Sequence, residues 1–122
     1  MGINRYSAVN VRLNANGSSP TVGVGAYSEG VSDDLNKHVW SVLATEPHTS
    51  VEEAVRQYAR YYFGSEHEQA MVAALFGLEQ NWVGNPIANE HTVVATLTTL
   101  QQVENGTAAA ELATNWRLQA YL

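Results

Sequence analysis

The chain has 122 residues, one domain's length and well short of the roughly 250 residues of a complete β/α barrel. Twelve acidic against six basic residues give a formal charge of -6, and the basic residues run from Arg5 to Arg117 without forming a stripe, which argues against nucleic acid or an anionic membrane as partner. There is no cysteine, so disulfides and thiolate chemistry are excluded, while the compartment stays unassigned, an exported or periplasmic parent included.

Residues 8 to 13, Ala8-Val9-Asn10-Val11-Arg12-Leu13, alternate apolar with polar and predict a half-buried strand, closed by the loop Asn14-Ala15-Asn16-Gly17-Ser18-Ser19-Pro20. Thr21-Val22-Gly23-Val24-Gly25-Ala26 reads as a second, buried strand. Ser32 or Asp33 is then placed to cap a helix carrying Leu35, Val39, Trp40 and Leu43. Between strand and helix, Tyr27 to Lys37 crowds acidic, amide and basic groups together. In open α/β sheets and β/α barrels this handover is where catalytic carboxylates gather.

After a break at Thr45-Glu46-Pro47-His48-Thr49, Ser50-Val51-Glu52-Glu53 has capping-box spacing and predicts a helix from Val51. Its apolar face is Val51, Val55, Tyr58 and Tyr62, and Gly64 ends it. Ser65-Glu66-His67-Glu68 repeats the capping-box signature ahead of a third helix, with Ala70, Ala74, Leu75 and Leu78, ending near Asn81. Gly84-Asn85-Pro86 is a turn. Asn89 is placed to cap a fourth helix over 90–104 with Val93, Leu97 and Leu100 on one face, Asn105-Gly106 stops it, and Thr107 caps a fifth. The expected fold is mainly α: a short β-containing N-terminal segment over 1–45, then four to five helices over 46–122. No segment reaches the roughly 18 apolar residues of a bilayer span, and Met1 to Tyr6 lacks a signal peptide's apolar core. Residues 115 to 122 are still amphipathic helix without a glycine or proline stop, so the sequence reads as the C-terminal part of something longer.

Glu29, Asp33 and Asp34 are the candidate catalytic carboxylates, since cleavage of a glycosidic bond generally uses two carboxyl groups about 5 to 9.5 Å apart. Asp33 and Asp34 also have a plainer reading, as acids favoured by the positive end of a helix dipole. Glu29 has no capping duty to explain it. One turn on, Asn36 has the amide to bond a sugar hydroxyl, and Lys37 is either solvated surface or a cation holding a neighbouring carboxylate ionised. Tyr27 offers a stacking ring, whereas Trp40, at helical spacing with Leu43, is read as core. Trp82, in Leu78-Glu79-Gln80-Asn81-Trp82-Val83-Gly84-Asn85-Pro86, either lines a pocket or pins a helix end. The histidines His38, His48, His67 and His91 show no i, i+4 pair and no neighbouring cysteine, so no metal is expected. Val22-Gly23-Val24-Gly25-Ala26 lacks the third glycine of a dinucleotide loop, so no cofactor is expected either.

Tyr27-Ser28-Glu29-Gly30, Asp33-Asp34, Asn36-Lys37-His38-Val39-Trp40, Val51-Glu52-Glu53, Tyr58-Ala59-Arg60-Tyr61-Tyr62-Phe63-Gly64 and Leu78-Glu79-Gln80-Asn81-Trp82 together resemble large bacterial glycoside-hydrolase-like proteins, in which a β/α barrel precedes a helical domain. The resemblance runs over most of residues 22 to 122. It implies that Tyr27 to Lys37 is the last barrel strand and its catalytic-face loop, that Glu29 faces a carbohydrate, and that the helices after residue 45 form an accessory domain. Asp33 or Asp34 would then tune Glu29, with Tyr27 or Trp82 near the sugar ring. Only residues 1 to 20 precede the strand and they carry no second carboxylate, so the upstream barrel is a missing partner and the isolated chain is not expected to be a competent hydrolase. The alternative is a free-standing helical interaction module, with an exposed Tyr61, Tyr62 and Phe63 cluster as its contact surface.

Overall fold

The computed structural model describes residues 27, 30, 33 to 81 and 90 to 122. The two expected strands, Glu29, Ser32, Trp82, the turn at 84–86 and the Asn89 cap lie outside the described residues. Among the described residues there are six helices and no strand: α1 Asp34–Thr45, α2 Val51–Phe63, α3 Glu68–Gln80, α4 Glu90–Gly106, α5 Ala109–Thr114 and α6 Trp116–Tyr121. The mainly helical fold expected from the sequence is observed. The chain forms two compact units, one ending at Tyr58 and one running from Ala59 to Leu122, with the division inside α2.

In the first unit, α1 buries Leu35, Val39 and Leu43 at i, i+4 and i+8, as their spacing predicts. Its last turn is closed by the Glu46 N–H donating to the Val42 carbonyl at 2.7 Å. The Ser50 hydroxyl accepts from the Glu53 N–H at 3.0 Å, which satisfies one of the orphan donors of a helix start and begins α2 at Val51. Ala54, Val55 and Tyr58 are buried along this half of α2, while Arg56 lies on the exposed side, 3.4 Å from Glu53.

In the second unit, α2 ends at Phe63 and Gly64 follows with φ +83°, the left-handed conformation that glycine adopts without a Cβ penalty. The helix after it does not start on the Ser65 box. Residues 65 to 67 are spent turning, His67 occupies the cap position without a side-chain cap bond, and α3 begins at Glu68. Ser65 instead turns its hydroxyl toward the Glu66 carboxylate, and Glu68 receives the Arg60 guanidinium at 2.6 Å.

Helix α3 buries Met71, Ala74 and Leu75 and packs against α4. On α4 the apolar face expected from Val93, Leu97 and Leu100 is not the buried one: Val93 and Leu97 are 41 % and 52 % exposed. The buried row is Thr96, Leu100, Val103 and Thr107, the same helical period rotated around the axis with Leu100 shared. Two threonines can lie on it because their hydroxyls donate to carbonyls of the preceding turn, Thr96 to Thr92 and Thr107 to Val103, each at 2.7 Å. Thr96 sits where α3 has Gly77, and a Cβ at Gly77 would overlap its Oγ1.

Helix α4 continues through Gly106, beyond the expected stop. Thr107 caps nothing. Its only proton goes to Val103, so its oxygen accepts from His67 Nε2–H at 3.2 Å and links the end of α4 to the start of α3. The fifth helix is broken at Asn115 into α5 and α6. There the side-chain oxygen accepts from the Leu118 N–H at 3.2 Å, and the amide nitrogen donates to the Tyr62 carbonyl at 2.7 Å. Leu118 and Phe63 are fully buried, and Phe63 meets Tyr121 edge-on at 6.0 Å.

Candidate functional site

The start of α1 is organised around Gly30. Its φ of +108° turns the chain in a way that L side chains rarely adopt. The carbonyl of the same residue accepts from the Asp33 N–H at 3.2 Å and from Lys37 Nζ at 3.2 Å. Asp33 thus occupies the cap position through its backbone, with no side-chain cap bond of its own. Lys37 is exposed and spends its ammonium group on the turn that follows Glu29. Tyr27 is 83 % exposed.

Asp34 lies in the first turn of α1, where a negative charge is favoured by the helix dipole. Its Oδ2 accepts from the Tyr58 hydroxyl at 2.8 Å, a charge-assisted bond from α2 across 24 positions of sequence. His38, one turn beyond Asp34, meets the Tyr58 ring edge-on, with centroids 5.4 Å apart and planes at 65°. Burial of His38 lowers its pKa from the usual 6.5, opposed in part by a hydrogen bond to the Ala54 backbone and by the Asp34 charge. Asp34, His38 and Tyr58 therefore form one linked cluster. Chemically it presents an ionisable acid held by a phenol beside a ring whose protonation is disfavoured.

The sequence-predicted residues fall into distinct positions around this cluster. Asp33, Asp34 and Lys37 are gathered at the start of α1, and Tyr27 is three residues before Gly30 in the chain. Asn36 points into the core and is only 6 % exposed, so its amide is not offered at the surface. Trp40 is half-buried, and its indole Nε1 is enclosed without a hydrogen-bond partner among the described residues. Glu29 and Trp82 lie outside the described residues. Sequence reasoning missed His38 and Tyr58 as members of the cluster. The i, i+4 spacing of Asp34 and His38 was the available signal, whereas Tyr58 read only as part of an apolar face.

In the second unit the expected Tyr61, Tyr62 and Phe63 cluster is not formed as such, because Phe63 is fully buried. Consecutive residues point about 100° apart around a helix, so three in a row cannot share one exposed face. Tyr61, 80 % exposed, meets Tyr62 edge-on at 4.8 Å, and the Arg117 guanidinium lies over the rings of Tyr62 at 3.8 Å and Trp116 at 4.3 Å. These are cation–π distances. A groove of about 250 Å³ runs between α3 and α4, lined by Ala73, Gly77, Gln80, Thr92, Ala95 and Thr96. The Thr96 hydroxyl in this lining and the neighbouring Thr99 hydroxyl donate to carbonyls of their own helix, at Thr92 and Ala95. Among the described residues no three His, Asp or Glu side chains are placed to hold a metal ion, and no helix is long and apolar enough to cross a membrane. No protein-family model, curated protein or solved structure matches the chain.

Proposed function

We propose that the chain is the C-terminal part of a carbohydrate-active hydrolase acting on glycosidic bonds, with Tyr27 to Lys37 contributing to the sugar site and the helices after residue 45 serving as an accessory domain. The observation that carries this reading is the doubly bonded Gly30 carbonyl. Asp33 and Lys37 both donate to it, which holds the backbone immediately after Glu29 and beside the Asp34–Tyr58 pair. A carboxyl group that protonates a leaving oxygen, or attacks a sugar, works only when held within a narrow geometry. A backbone clamp next to Glu29 is a means to that end. Glu29 acts as one of two carboxyl groups, Asp33 or Asp34 tunes its charge, Tyr27 or Trp82 lies near the ring, and the second carboxyl group comes from an upstream barrel. Joined to that barrel, Glu29→Gln is expected to lower kcat by roughly 10²- to 10⁴-fold without moving Tm. An unchanged rate would reject the assignment.

The second reading, a helical interaction module without catalysis, is favoured by the exposed Tyr61 and Trp116 rings, because Tyr, Trp and Arg are the residue types that dominate interface energetics. Under it the chain associates with a partner or with itself. Sedimentation of the chain and of Tyr61→Ala tests for self-association, which the alanine should abolish.

A further inference from the structure

We draw no further inference here: the strongest candidate, the exposed aromatic patch of Tyr61 and Trp116 with Arg117 over the Tyr62 and Trp116 rings on the second unit, carries nothing more because nothing in the structure shows what covers it.

Discussion

Replacing Gly77 by alanine sets two opposing effects against each other. In a helix interior alanine is favoured over glycine by about 1 kcal/mol, so helix propensity alone makes Gly77→Ala stabilising. Packing opposes it. The added methyl group overlaps Thr96 Oγ1 and stands 3.2 Å from Cγ2, closer than ordinary van der Waals contact. Thr96 cannot swing away cheaply, because its hydroxyl donates to the Thr92 carbonyl at 2.7 Å and its branched side chain has few rotamers in a helix. Overpacking of this kind costs about 1 to 3 kcal/mol, and with the rotamer locked the upper half of that range applies. The net expectation is a loss of about 1 to 2 kcal/mol. For a unit of this size each kcal/mol lowers Tm by roughly 4 to 8 °C. Thermal unfolding followed by circular dichroism reads this directly. The double variant Gly77→Ala/Thr96→Ala should recover stability relative to the sum of the two single changes, because the new methyl occupies the space the threonine gave up. A Gly77→Ala chain as stable as the parent, or single costs that simply add in the double variant, would refute the packing argument.

Tyr58→Phe keeps the ring against His38 but removes the donor to Asp34, and is expected to cost about 1.5 to 3 kcal/mol in urea unfolding; an unchanged midpoint would show the bond to be inconsequential. Because burial lowers the pKa of His38 in the folded state, the unfolded chain binds more protons at mildly acid pH. Its contribution to stability is therefore full above about 6.5 and declines as pH falls from there through the lower folded value. Urea midpoints measured across this window should fall with pH in the parent and flatten in His38→Gln; equal slopes would remove His38 as the cause. Asn115→Asp keeps the acceptor for the Leu118 N–H but loses the donor to the Tyr62 carbonyl and sets a negative charge facing it, so it should destabilise by about 1 to 3 kcal/mol, detected as a lower Tm.

Features set by local chemistry were legible in the sequence. Ser50 caps α2 through the Glu53 N–H, and Gly64 ends it in a left-handed turn, since both depend on residues within one turn of each other. The period of α4 was legible but its phase was not. Val93, Leu97 and Leu100 mark an apolar face by their spacing, whereas back-bonding to helix carbonyls lets Thr96 and Thr107 be buried and Gly77 selects Thr96 as the residue of closest approach. The part Thr107 plays is not local to the helix start it precedes: its partners are Val103, one turn back, and His67, 40 positions away. At the candidate site Asp33 reaches the Gly30 carbonyl through its backbone N–H and Lys37 through its ammonium group, and neither contact depends on the acidic side chains that crowd this stretch of sequence. What joined Asp34 to Tyr58 was tertiary. That pairing spans two helices, and no local spacing announces it.

The central claim, that Tyr27 to Lys37 belongs to a sugar site, is tested most directly by joining the 122-residue chain, isotope-labelled, to the upstream barrel, titrating in mono- and oligosaccharides and following its backbone amides by NMR. The expected result is saturable shifts at Tyr27, Gly30, Asp33 and Lys37 for at least one sugar class, lost in Tyr27→Ala. Sugars that leave these amides unmoved, or that shift only residues of the second unit, would contradict it.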